Sequence, residues 1–137
     1  MARDIYHYHV REALEKDGWT ITADPFIFNF AETRFDVDLG AEKLMEAAKN
    51  SLKILVEVKS FLGQSVTYDF HTAVGQFNHY ILALNEEKLD RVLFLAVPKV
   101  VFEEHFYKAF FQASIKKNRL RIIVFDPMTK NIVKWIK

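Results

Sequence analysis

The chain of 137 residues contains no cysteine, which excludes disulfides and thiolate metal sites and fits a reducing cytoplasm. No apolar run approaches the roughly 18–20 residues that a membrane span needs. The opening Met1-Ala2-Arg3-Asp4 leads straight into a charged amphipathic segment, without the apolar core of a signal peptide. A soluble cytoplasmic protein with no membrane partner is therefore expected. Gly/Ser-rich and Pro-rich linkers are missing, as are internal repeats, so one domain over residues 1–137 is expected. Strong charge of either sign is lacking too: 19 basic residues against 18 acidic ones leave a formal +1. A protein that coats nucleic acid is usually far more basic. Any DNA binding must then come from a local patch, from a partner, or from acids neutralised by metal. There is no Gly-x-x-x-x-Gly-Lys loop, no Gly-x-Ser-x-Gly elbow and no paired-cysteine site.

What is present is a well-patterned apolar chain. Half of its residues are apolar and 27% charged, the profile of a globular domain able to bury a core. Its 13 phenylalanines exceed what one small core needs, so some are expected at an interface. Residues 4–16 read as a helix with Ile5, Tyr8, His9 and Glu12 on one face, stopped at Asp17-Gly18. Trp19–Thr22, Phe26–Phe30 and Arg34–Leu39 read as strands, with a break at Asp24-Pro25. Ala41–Lys49 has helix formers but is hemmed in by Gly40 and Asn50-Ser51, leaving at most a short helix. Thr67–Leu89 is the clearest helix, its stripe formed by Phe70, Val74, Phe77, Ile81 and Leu84. Arg91–Val97 is a continuous apolar run ending at Pro98, the pattern of a strand buried on both faces. Lys99–Lys117 reads as one aromatic-rich helix. Arg121–Phe125 and Ile132–Ile136 form a hairpin through Asp126-Pro127-Met128-Thr129. The order α-β-β-β-β-α-β-α-β-β gives an α/β (α+β) domain: a central mixed β-sheet flanked by helices, with a C-terminal β-hairpin. That is the core layout of restriction-endonuclease-like folds.

The most informative stretch is Lys53-Ile54-Leu55-Val56-Glu57-Val58-Lys59-Ser60-Phe61, a strand carrying an acid and a lysine two residues apart. Alternation turns Leu55, Glu57 and Lys59 to one face and Ile54, Val56 and Val58 to the other. Phosphodiester cleavage assisted by Mg²⁺ or Mn²⁺ needs hard oxygen ligands and a group that orients water or stabilises charge. Asp38 and Glu57 are the metal-ligand candidates, with the Val58 carbonyl as a further donor and Lys59 as charge stabiliser. Glu12 lies on the expected apolar side of the first helix, where a carboxylate needs a cation. Gln76 stands one step off the stripe of the long helix, within reach of the same pocket. Each has a plainer alternative: Glu12 pairs with Lys16 at i+4, Asp38-Leu39-Gly40 is a turn, Gln76 caps a strand. The order Glu…Asp…Glu-x-Lys…Gln favours a site over five coincidences. Histidines 7, 9, 71, 79 and 105 fit zinc poorly, since His71 and His79 are about 12 Å apart along a helix. They are expected at the surface or behind the site.

The helix expected over 99–117 is apolar on two sides, which implies deep burial or a homodimer or partner contact. The basic run Lys116, Lys117, Arg119 and Arg121 follows it, placed either to touch phosphate or to complement the helix dipole.

The strings Asp36-Val37-Asp38-Leu39-Gly40-Ala41-Glu42-Lys43-Leu44, Val56-Glu57-Val58-Lys59-Ser60-Phe61 and Phe70-His71-Thr72-Ala73-Val74-Gly75-Gln76-Phe77 resemble the XisH family. So do Lys16-Asp17-Gly18-Trp19, Asp90-Arg91-Val92-Leu93 and Val133-Lys134-Trp135-Ile136, in order and over nearly the whole chain. That family is the fdxN element excision controlling factor of cyanobacteria, within the PD-(D/E)xK endonuclease-like superfamily. The resemblance implies that Asp38, Glu57 and Lys59 occupy the superfamily's Asp…Glu-x-Lys positions. It implies that Glu12 matches the acid of the first helix, and Gln76 the glutamine of the following one. Asp38 is preceded by Val37 rather than proline. The implied partners are DNA, an XisI-like protein and a site-specific recombinase. Two activities follow as expectations: a Mg²⁺-dependent endonuclease-like factor in DNA excision, or a non-catalytic accessory factor acting through those partners.

Overall fold

The structure, a computed structural model, describes residues 3–137. Met1 and Ala2, the head of the expected charged start, lie outside the described residues. Six strands form one sheet in the order β1 (Thr20–Ala23), β4 (Leu39–Met45), β5 (Asn50–Val58), β6 (Val92–Pro98), β7 (Ile122–Asp126), β8 (Asn131–Ile136). The two strands between β1 and β4, β2 (Phe26–Phe30) and β3 (Thr33–Val37), make a separate hairpin. β5, β6 and β7 run parallel, while β1, β4 and β5 pair antiparallel at one side and β7 and β8 at the other. The sheet is therefore mixed, and helices flank it as expected.

Alternation along the strands builds a core on each face. Leu55, Leu93, Leu95, Val97, Ile122 and Val124 face α2 (Val66–Glu86), whose Phe70, Phe77 and Leu84 are buried. Ile54, Val56, Val58, Phe94, Ala96, Ile123 and Phe125 face α1 (His7–Lys16) through Val10 and Leu14. Ser65 caps α2 by accepting from the Tyr68 N–H at 3.1 Å. Among the described residues no helix is long and apolar enough to cross a membrane.

Four expectations need correction. The first helix begins at His7, because the Asp4 carboxylate accepts from Tyr6 N and Ser60 N at 2.9 Å each and ties that segment to the end of β5. It also turns the other way: Ile5 (68% exposed) and Tyr8 (62%) face solvent, while His7, Val10, Ala13 and Leu14 go inward. Where a short helix was expected over Ala41–Lys49, residues up to Met45 belong to the strand β4, which pairs with β5 from Leu39↔Val56 to Met45↔Asn50. Ladder hydrogen bonds and the burial of Ala41 outweigh the helix propensity of Glu42, Lys43 and Leu44. Asp38 thereby sits at the head of an inner strand.

The segment 99–117 is not one helix. A short α3 (Lys99–Val101) runs into a π-helical turn (Phe102–Phe106), and α4 (Ala109–Asn118) starts afresh after an extended Lys108. The break lets Phe106 and Phe111 both point into the core, where they meet Phe70 at 5.3 and 4.5 Å between centroids. Gln112 Nε2 donates to the Phe106 carbonyl that the break would leave unpaired. Much of the phenylalanine surplus goes into this cluster, which Phe61 also joins at 5.7 Å.

Candidate functional site

Asp38 and Glu57 meet where β4 begins and β5 nears its end. Each carboxylate accepts the backbone N–H of the other strand. Asp38 Oδ2 takes the Val58 N–H at 2.7 Å, and Glu57 Oε1 takes the Asp38 N–H at 3.2 Å. The register Leu39↔Val56 sets this exchange, and the buried strand residues on either side hold it. Lys59 Nζ stands 3.7 Å from Glu57 Oε2, on the same face, as period-2 alternation requires.

Glu57 is 7% exposed. Burial, then the neighbouring Asp38 charge, pushes its carboxyl up to about 8, against the pull of Lys59. Burial raises Asp38 as well, opposed by the Val58 N–H, His7 and Lys59. Two carboxylates thus share a dry corner with one lysine, and the pair is short of positive charge. Each acid keeps one oxygen outside the reciprocal backbone bonds. Hard, partly desolvated carboxylate oxygens suit Mg²⁺ or Mn²⁺, which keeps several waters when only one or two carboxylates bind it. Val58, the expected third donor, lies between the acids with its N–H on Asp38. Among the described residues no group of three or more His, Cys, Asp or Glu could hold a metal ion. Any cation here would rest on the two acids, a backbone carbonyl and water.

The other expected residues divide. Gln76 is part-buried and donates through Nε2 to the Tyr80 hydroxyl at 2.9 Å, which in turn donates to the Asp36 carbonyl at 2.8 Å. Tyr80 is raised above its ordinary value by burial and then by the charges of Glu57 and Asp38, so this helix does flank the acid pair. Gln76 Oε1 is buried without a partner. Glu12 is not brought to the pair: it lies on the outer side of α1, 3.6 Å from Lys16 Nζ and 3.9 Å from Lys130 Nζ. That is its plainer alternative, reached because α1 turns His7 inward instead. Lys116, Lys117 and Arg119 are exposed at the end of α4, and Arg121 is half-buried just before β7.

Two residues were missed. Tyr80 lies behind the acids through its contact with β3. His7, expected at the surface or behind the site, is 1% exposed. Its Nε2 bonds Asp24 at 2.7 Å, Arg11 reaches the same carboxylate at 2.6 Å, and Arg3 bonds it as well. Burial alone would raise Asp24, but Arg11, His7 and Arg3 together hold it below the usual carboxylate range. Nδ1 of His7 is buried without a partner, and the ring stands near enough to Asp38 to act on its carboxyl. The signal for this cluster was the four-residue spacing of His7 and Arg11, which puts them on one helical face.

A mixed α/β sheet with a buried, interlocked carboxylate pair beside a lysine is the class of protein that fold and site define. The chain belongs to the XisH family: the family model described as XisH protein matches residues 1–133. A crystal structure of an XisH family protein from Nostoc punctiforme PCC 73102 is 38% identical, with TM-score 0.88, covering 98% of this chain and 100% of that one. A crystal structure of an fdxN element excision controlling factor protein from Anabaena variabilis is 40% identical, with TM-score 0.89 and the same coverage. No curated protein matches the chain.

Proposed function

We propose that the protein is a DNA-acting factor controlling excision of a genomic element of the fdxN type, with a Mg²⁺-dependent endonuclease-like site. On this reading the sheet is a restriction-endonuclease-like core, and Asp38, Glu57 and Lys59 are its Asp…Glu-x-Lys residues. The observation that carries it is the reciprocal lock of Asp38 and Glu57, which holds two carboxyl groups together in a water-poor corner where one keeps its proton up to about pH 8. Such an arrangement costs stability unless a cation joins it. A divalent cation bound there would polarise a phosphate oxygen and lower the pKa of a bound water. Asp38 and Glu57 would hold that cation with the Val58 carbonyl. Lys59 would orient water or balance charge at the phosphate, and Gln76 with Tyr80 would brace the wall behind. Glu12 has no part in this constellation.

Incubation of the pure protein with supercoiled plasmid and Mg²⁺ or Mn²⁺ tests the site. Nicking should fall about 10²–10³-fold in Lys59→Ala, the scale of losing one charge stabiliser. Nicking that persists unchanged in that variant sinks the assignment.

A second reading has its own support. Val100 (60% exposed), Tyr107 (69%) and Phe110 (52%) present an apolar face on the segment around α3 and α4. In this reading the protein is a non-catalytic accessory factor that works through an XisI-like partner and a recombinase, or pairs with a second copy through that face. Co-elution with an XisI-like protein, lost in Phe110→Asp, supports it; a solitary monomer that nicks DNA robustly argues against it.

A further inference from the structure

A second feature lies on the α1 face of the sheet, at the N-terminal ends of β5, β6 and β7. An open groove of about 880 Å³ crosses the strands there, floored by Ile54, Phe94 and Trp135 with Trp19 beside them. Both tryptophans of the chain stand in it, 5.7 Å apart and tilted by 35°. Lys43 covers the Trp19 ring at 5.6 Å and is tied to the Asp17 carbonyl at 2.7 Å. Lys137 stands over the Trp135 ring at 5.9 Å on an exposed side chain without such a tie, so Trp135 is the ring an incoming ligand reaches by moving that side chain aside. Phe94 braces Trp135 edge-on at 5.0 Å.

The groove is charged as well as aromatic. Lys43, Lys53, Arg121 and Lys137 line it against the acids Asp17 and Asp90. That is a local excess of two positive charges in a chain whose total is +1. A second groove, of about 360 Å³, lies round the end of β8 and is lined by Lys116 and Arg119. Arg121 and Lys137 line both grooves, so the basic run after α4 continues the cationic path past the tryptophans. From β4 to β8 is four strand spacings, about 19 Å, longer than a single ring needs.

We propose that this groove binds single-stranded DNA, with a base stacked on Trp135 and phosphates on Arg121, Lys137 and the α4 basic run. An aromatic platform within a cationic groove is the recognition mode of unpaired strands, because only unstacked bases offer their faces. A duplex offers phosphates and groove edges but keeps its base faces stacked away. The site is separate from the acid pair, which lies beyond the sheet at the far end of β5 and on the α2 side.

The test is intrinsic fluorescence, since the only two tryptophans both report on the groove. Titration with single-stranded oligothymidylate should quench them, with an affinity that falls steeply as salt rises. Labelled-oligonucleotide anisotropy should then lose about tenfold or more in Trp135→Ala and in the double variant Lys137→Glu with Arg121→Glu, and recover largely in Trp135→Phe. Melting curves check that these variants fold, and Lys137→Ala alone should still reduce the salt slope. Glu57→Gln should bind the strand as the parent does, whatever its effect on nicking. Absence of quenching, equal affinity for duplex through the same residues, or fluorescence that shifts only with protein concentration would each overturn the proposal, the last by making the groove a contact between copies.

Discussion

The two halves of β5 handle charge in opposite ways. At its N-terminal half the strand is open to solvent, and Lys53 faces Glu42 across the β4–β5 ladder at 3.9 Å, both partly exposed. At its C-terminal half every residue from Ile54 to Val58 is buried, and there the same two strands bring together Asp38 and Glu57. Opposite charges meet where water would have screened either sign, and two acids meet where it would not, one of them holding its proton up to about pH 8. Stability alone would select the reverse. The dry half thus departs from what folding alone favours, the kind of departure that the proposed site would account for. The wet half is organised for contact, with Trp135 and its cations spread along an accessible trough.

The largest effect that sharpens this comparison is a paired deletion. Leu55 is fully buried, so Leu55→Ala should cost about 2–5 kcal/mol. Leu52 is 43% exposed, so Leu52→Ala should change stability by no more than about 0.5 kcal/mol. Denaturant melts of the two variants measure the contrast, and equal losses would break it.

Next comes the pH dependence of the dry half. The Glu57 carboxyl is raised from 4.5 to about 8, so below pH 4.5 it is protonated whether the chain is folded or not. Between those values the unfolded chain gives up its proton while the folded one keeps it, and stability falls as pH rises through the window. Asp38, also raised, adds a loss of the same sign that begins at lower pH. Asp24 acts the other way: held low, it supplies stability that is lost only as acid protonates it in the folded chain. Metal-free protein should therefore melt lower at pH 8.5 than at pH 6, by more than about 1 kcal/mol. Glu57→Gln should flatten that slope and be the more stable protein at pH 8.5. Mg²⁺ should stabilise the parent more at pH 8.5 than at pH 6, since it competes with the proton.

Much of this was legible beforehand where one local signal decided the outcome. Strand β6, helix α2 and the β7–β8 hairpin follow from an apolar run, a stripe and a turn. The facing of Glu57 and Lys59 follows from alternation alone. Where two elements had to be matched, local signals failed. Residues 41–45 prefer helix but are recruited by β5, and the 99–117 segment is cut at Lys108 so that Phe106 and Phe111 can both be buried. Tyr80 and His7 were missed because their partners Asp36 and Asp24 lie 44 and 17 residues away in sequence. Glu12 was misassigned because the α1 face was turned by the Asp4 ties to Tyr6 and Ser60, which no periodicity records.

The smallest effect probes the wet half. Lys53 and Glu42 are 45% and 33% exposed at the side chain, and their 3.9 Å separation is at the limit of an ion pair. Attraction between such groups is screened, and holding two long side chains together costs entropy. Lys53→Ala should therefore change stability by no more than about 0.5 kcal/mol, and the change should vanish at high salt. Yet Lys53 also lines the tryptophan groove, so the same substitution should reduce the salt slope of oligothymidylate binding by about one counterion. A residue that matters to the strand but not to the fold is what an open, contact-making half of β5 requires. If Lys53→Ala instead unfolded the protein by several kcal/mol and left binding untouched, the division of β5 into a wet contact half and a dry acid half would be wrong.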